Sequence, residues 1–116
     1  MIQSEQVQLA AIAIAGVWML VGRRGGMNFE WAAGKSASNR EKHGVSFEEA
    51  ATAFGDPPSS TILDPDSSDD ETRFVLIGRA ASGRTVVIVH TDRGESTRLI
   101  SARLASRGER RSHEQG

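Results

Sequence analysis

The sequence predicts an α+β domain in which two N-terminal helices pack on an antiparallel β-sheet, a meander closed by a short C-terminal helix or tail. Two observations predict it. Residues 35–54 carry paired helix stop and start signals, KHG followed by SFEE, and residues 73–103 hold three β-branched runs separated by glycine-containing connections. Such spacing favours strands joined as hairpins.

Residues 28–31 read as a short strand with Phe29 and Trp31 on one face, by the two-residue period of a strand. Residues 35–43 then read as a helix that ends at Gly44, because glycine enters the left-handed position after a helix without steric cost. Lys42 and His43 fall in its last turn, where the helix dipole favours cations. Ser46 and Glu49 form a capping-box pattern, with Val45 and Ala50 placed as the hydrophobic staple, so a second helix is expected over 47–54. Gly55-Asp56-Pro57-Pro58 stops it. Residues 61–63 form a short strand candidate, and residues 73–79, 84–91 and 96–103 are the meander. From Arg107 onward the chain is polar with no apolar stripe, a helix or tail that would be held weakly.

Composition narrows the function classes. The charged share of 25% against 38% hydrophobic residues is that of a globular domain. With 5% aromatic residues, an RNA surface built on base stacking is not expected. Absence of cysteine removes disulfides, thiolate metal sites and cysteine nucleophiles, and suits a cytoplasmic protein. The net charge of −1 hides an uneven distribution: Asp64, Asp66, Asp69, Asp70 and Glu71 crowd one segment, and elsewhere the balance tilts to arginine.

Residues 1–26 form a separate N-terminal extension. The apolar run 7–22 would span roughly 24 Å as a helix, short of the ~30 Å hydrocarbon core. With Glu5 the one charged side chain ahead of it, a secretory signal fits poorly. A short anchor with Arg23 and Arg24 on the cytoplasmic side is one reading. Another explains more: Met27 is the start, and Arg23, Arg24, Gly25 and Gly26, if their codons are purine-rich, are a ribosome-binding site read as protein.

Residues 27–116 then carry a resemblance. FEW at 29–31, Lys35, Asn39, KHGVSFEEA at 42–50, Phe54, DPD at 64–66, ETRF at 71–74, Ile77-Gly78, VVIVHT at 86–91 and RLISAR at 98–103 resemble, in order, the motifs of BrnT toxins. The resemblance implies a RelE-like toxin fold and a metal-independent endoribonuclease that inhibits translation. It also implies silencing by a BrnA-like antitoxin, through which alone the complex would meet operator DNA. Members of the family begin near the methionine that corresponds to Met27. One departure stands out: Ala32-Ala33 replaces the family's usual Asp-Pro. Loss of that cap is worth about 0.5–2 kcal/mol and leaves Lys35 in an uncertain first turn.

Metal-free RNA cleavage needs a base for the 2′-hydroxyl, cations for the charge developing on phosphorus, and an acid for the leaving 5′-oxygen. His43 beside Lys42 is the proton-transfer candidate. Lys35, Asn39 and Lys42, at helical spacing, share its face and are candidates for binding RNA. Arg73 and Arg79 have the same strand parity and are expected to clamp a phosphate together. Arg98 and Arg103, also RNA-binding candidates, fall on opposite faces unless a bulge intervenes. His90 is expected to be a hydrogen-bonded core histidine, and His113 a solvated tail residue. No cofactor and no metal site is expected, the acidic segment lacking the glycine and distal glutamate of a calcium loop. That segment is a plain acidic loop, a phosphate mimic facing the arginines, or a contact for a basic partner. The alternative to the enzyme is a catalytically degenerate module that only pairs with its antitoxin, a reading the missing Asp-Pro encourages.

Overall fold

The computed structural model describes residues 8–14, 17–24, 27–67 and 71–115, with side chains from Met27 onward. The described chain runs β1 (Gln8–Ile14), β2 (Val17–Arg24), β3 (Met27–Ala32), α1 (Lys35–His43), α2 (Phe47–Thr52), β4 (Ser60–Leu63), β5 (Phe74–Arg79), β6 (Thr85–Arg93), β7 (Ser96–Leu104) and α3 (Arg107–Gln115). One sheet holds all the strands in the order β1-β2-β3-β7-β6-β5-β4.

The α+β class stands, with two corrections. First, the sheet is mixed. Strands β4 to β7 form the expected antiparallel meander, but β3 pairs in parallel with β7 through Asn28–Ser96, Phe29–Thr97 and Glu30–Arg98. The helical pair carries the chain from β3 across the sheet to the far edge, so the meander returns and ends beside β3. Second, the apolar run 7–22 is not helical in its described part. It forms β1 and β2, an antiparallel pair added to the outer edge of β3. Ile12, Ile14, Val17 and Val21 favour extended backbone, and the pairing satisfies its polar groups. Among the described residues no helix is long and apolar enough to cross a membrane.

The core lies between the helical pair and one sheet face. Phe29 and Trp31 of β3, Phe47, Ala50 and Ala51 of α2, and Val86 and Ile88 of β6 are all buried in it. The rings meet edge to face, Phe29–Phe54 at 5.0 Å and Trp31–Phe47 at 5.7 Å, a preferred aromatic geometry. Strand β5 passes so close to the turn after α2 that a Cβ on Gly78 would lie 3.0 Å from the Ala53 carbonyl oxygen.

Helix α1 starts at Lys35 despite the missing Asp-Pro. Gly34 takes the cap position at φ 81° with no side-chain cap. Ser36 compensates, since its Oγ accepts the Phe47 amide at 2.9 Å and bonds the Glu48 carboxylate. At the other end Gly44, at φ 76°, donates its amide to the Arg40 carbonyl at 2.8 Å. Helix α2 is shorter than expected, giving way to a tighter turn at Ala53–Gly55. Its cap is half of the predicted box. Ser46 Oγ accepts from the Glu49 amide at 3.0 Å, but the Glu49 carboxylate turns to Arg84, a charged partner that binds it more strongly than the Ser46 amide would.

Helix α3 is anchored by polar groups rather than apolar ones, none of its residues being fully buried. Ser106 and Glu109 form a complete capping box, with bonds of 3.1 and 2.8 Å. Arg103 clamps Glu109 through both guanidinium branches at 2.8 and 2.9 Å. His113 lies against Asp56 at 3.4 Å, with its side chain only 8% exposed. The expectation of a solvated His113 is therefore corrected: the Asp56 carboxylate draws it onto the body of the protein.

Candidate functional site

Several basic groups meet at the end of the sheet where α1 terminates. His43 is exposed at the last position of α1, next to exposed Lys42. Arg84, at the start of β6, donates from Nη2 to the Gly44 carbonyl at 2.8 Å, so its guanidinium lies against the residue that follows His43. The same group binds Glu49, Nη2 to Oε1 at 2.6 Å and Nε to Oε2 at 2.8 Å. Ser82 Oγ donates to Glu49 at 2.5 Å. Arg84 above all holds the Glu49 carboxyl below its ordinary 4.5; burial opposes this, and Ser82 and nearby Arg40 add to it. Arg79 precedes and Arg84 ends the β5–β6 turn, whose Gly83 amide returns to the Ala80 carbonyl at 2.9 Å. Arg79 stands at this same end of the sheet, but like Val75 and Ile77 it projects from the open face, away from the helical face that carries His43, and its exposed side chain has no partner among the described residues.

His43 and Lys42 stand at this rim, and Arg40 and Arg84 join them. Neither of these two was among the sequence candidates. Arg40 shares the last turn of α1 with Lys42 and could have been found from that position. Arg84 could not, because the capping-box pattern had assigned Glu49 to the helix start.

The remaining candidates are placed elsewhere. Asn39 is buried, and its amide donates to the Val45 and Ala102 carbonyls at 2.7 and 2.8 Å while its oxygen accepts the Ala102 amide at 3.3 Å. It ties α1 to β7 and is withdrawn from any RNA-binding face, because those backbone groups would otherwise be buried unpaired. Lys35 is exposed at the opposite end of α1, roughly 12 Å from His43 by helical rise. Arg73 does not join Arg79 in a clamp, since the two stand at opposite ends of β5, about 20 Å apart along the strand. Arg73 instead holds the acidic loop: Nη2 donates to the Asp66 carbonyl at 2.8 Å, and Nε lies 3.7 Å from the Asp64 carboxylate. Asp69 and Asp70 of that loop lie outside the described residues.

Arg98 and Arg103 do share a face, because the bulge exists. Val89 pairs with Ser101 and His90 with Leu99, leaving Ile100 unmatched. An extra residue reverses the parity of everything after it. Leu99 and Ala102 therefore both point to the core, and Arg98 and Arg103 both point to the opposite, open face. Arg98 pairs with Glu30 across the β3–β7 junction at 3.2 Å, and Arg103 with Glu109.

His90 is buried as expected but not hydrogen-bonded. Neither ring nitrogen has a partner. The ring sits edge-on to Phe54 at 5.0 Å and stacked on Phe74 at 5.7 Å. Burial lowers its pKa below 6.5, with Asp92 opposing. It serves as a core aromatic. Among the described residues no group of three His, Asp or Glu side chains is placed to hold a metal ion.

The fold and this rim define a small α+β protein with a basic, histidine-bearing surface, the kind that attracts polyanions. The chain belongs to the BrnT family, residues 31–109 matching the family described as ribonuclease toxin, BrnT, of type II toxin-antitoxin system. The family is one of ribonuclease toxins, which implies an RNA substrate and an antitoxin partner. No curated protein matches the chain.

Proposed function

We propose that this chain is a metal-independent endoribonuclease toxin of RelE-like architecture, which inhibits translation by cleaving RNA in the cytoplasm and is neutralised by a BrnA-like antitoxin. One observation carries the assignment of the site: of the three histidines, His43 alone is exposed, and it stands among Lys42, Arg40 and Arg84. His90 is enclosed by rings and His113 by Asp56.

In this reading His43 takes the proton of the 2′-hydroxyl as the 2′-oxygen bonds to phosphorus and the bond to the 5′-oxygen breaks. The released 5′-oxygen collects a proton from solvent or from a returning His43. Lys42 and Arg40, in the same last turn of α1, hold the charge that develops on the phosphoryl oxygens. Arg84 fixes the end of α1 that presents His43 and so acts through it. RNA cleavage by the full chain in the presence of a chelator, with His43→Ala and Lys42→Ala beside it, tests the assignment. Loss in both variants supports it, and full activity of His43→Ala rejects it.

A second reading has its own support. Arg73, Arg98 and Arg103 are held by Asp64, Glu30 and Glu109, and Asn39 by backbone, as suits a degenerate module that only binds its antitoxin. Wild-type cleavage no greater than that of the variants would select that reading.

A further inference from the structure

The outer edge of β4 has the features of a docking edge. The strand ends the sheet, pairing only with β5 among the described residues, and all four of its residues are exposed. Ile62 and Leu63 are 63% and 60% exposed, more than any other large apolar residue described. Register sends them to opposite faces: Ile62 pairs with Val75 of the open face, and Leu63 pairs with Phe74, which stacks on His90 in the helical face. The free edge is therefore flanked by an apolar side chain on either side. Exposed edges are commonly closed by lysine, proline or a bulge, and Ser60–Leu63 carries none of these.

Beyond Leu63 the chain turns into a hairpin whose unpaired charge is negative. Asp64 is engaged, its carboxylate accepting the Asp66 amide at 2.9 Å and lying 3.7 Å from Arg73 Nε. Exposed Asp66 and half-buried Glu71 are in no ion pair among the described residues. Main-chain groups, two apolar side chains and then carboxylates thus follow one another along this edge. Residues 55–67 hold no basic residue, so a second copy of β4 would bring no cation to these acids.

We propose that β4 receives an extended segment of a partner protein as an added strand, with apolar residues against Ile62 and Leu63 and basic residues beside Asp66 and Glu71. In such additions the main-chain ladder supplies affinity and the side chains supply selectivity. The inference rests on the antitoxin part of the proposed function for the partner's identity, and the surface states the chemistry of the segment that partner presents. Leu63 lies beside Phe74, at the end of β5 away from the rim and about 17 Å along the strand from Arg79. A segment bound here anchors the partner without covering His43.

The probes are two capped hexapeptides of opposite order, Val-Ile-Val-Lys-Lys-Lys and Lys-Lys-Lys-Val-Ile-Val. Each is also made with glutamate in place of lysine, and with its three apolar residues N-methylated. They are titrated into the full chain and followed by backbone amide chemical shifts. One lysine peptide should bind, with shifts confined to residues 60–67 and 71–75, and its order reports the strand direction. Its glutamate and N-methylated counterparts should bind at least about tenfold more weakly, one through repulsion and the other through loss of the ladder. Ile62→Thr with Leu63→Thr, and separately Asp66→Lys with Glu71→Lys, should each weaken binding about tenfold without lowering the unfolding midpoint. If the lysine pair fails to fold, the threonine pair decides alone. No binding by either lysine peptide, equal binding by the glutamate peptides, or folded variants binding as wild type does would each overturn the proposal. So would self-association of the chain through residues 60–67 without peptide. Peptide binding by a protein that cleaves no RNA would leave this surface standing and remove the ribonuclease reading; cleavage without peptide binding would do the reverse.

Discussion

Arg84 closes on Glu49 with bonds of 2.6 and 2.8 Å while the same Nη2 donates to the Gly44 carbonyl at 2.8 Å. One guanidinium thus joins the start of β6, the first turn of α2 and the end of α1 that presents His43.

Arg84→Lys keeps the charge and loses the fork. Because the side chain of Arg84 is 42% exposed, solvent screens the pair, and the expected loss of stability is only about 1 kcal/mol. Cleavage should fall more than stability does, since the end of α1 loses its clamp. Urea midpoints and cleavage rates measured on the same preparation check this.

Asn39→Ala should be far more disruptive. It leaves the Val45 carbonyl and the amide and carbonyl of Ala102 without their partner in a buried place. At about 1–3 kcal/mol for each unpaired group, with some relaxation, a loss on the order of 3 kcal/mol is expected. Chemical denaturation reads it directly, and a change under 1 kcal/mol would show that Asn39 does not bridge α1 and β7.

His90 makes stability depend on pH. Its folded-state pKa is pushed below 6.5 by burial, so below that pH the unfolded chain binds the proton more readily than the folded one. Its contribution is present above about 6.5 and is lost as pH falls. His90→Phe retains the ring contacts with Phe54 and Phe74 and should flatten this part of the profile. Thermal midpoints across the range, wild type against variant, provide the comparison.

Glu109 acts lower on the pH scale. Arg103 first, then the Ser106 amide, bring its pKa from 4.5 down to about 2. The stabilisation of α3 is therefore whole above about 4.5 and is lost as pH falls toward 2. Helix α3 should detach in that window, seen as loss of amide protection at Arg110 and Arg111, and in Glu109→Gln this step should vanish.

How far the sequence was legible follows from the range of each signal. Gly44 and Ser46 act within a turn of their own positions, so the end of α1 and the start of α2 fall where expected. The β-branched runs and their turns placed β5, β6 and β7 to within a few residues for the same reason. The parallel pairing of β3 with β7 is a contact between residues 30 and 98, and no local pattern encodes it. The bulge at Ile100 was equally hidden, since only the register against β6 displays it, and with it went the common face of Arg98 and Arg103. Helix α3 was underestimated because its anchors are Asp56 and Arg103 rather than an apolar stripe, although SRGE at 106–109 was a capping box in plain view. At the rim, His43 and Lys42 were legible from their place in the last turn. Arg84 arrives from the far side of the fold and was not.

The central claim is that the exposed histidine at the end of α1 performs the proton transfer of RNA cleavage. The most direct test is the rate of RNA cleavage by the full chain and by His43→Ala in the presence of a chelator, with folding of both verified by denaturation. The account predicts that wild type cleaves, that His43→Ala retains wild-type stability, and that its rate falls by about 10²–10⁴-fold. Equal rates in the two proteins would contradict it.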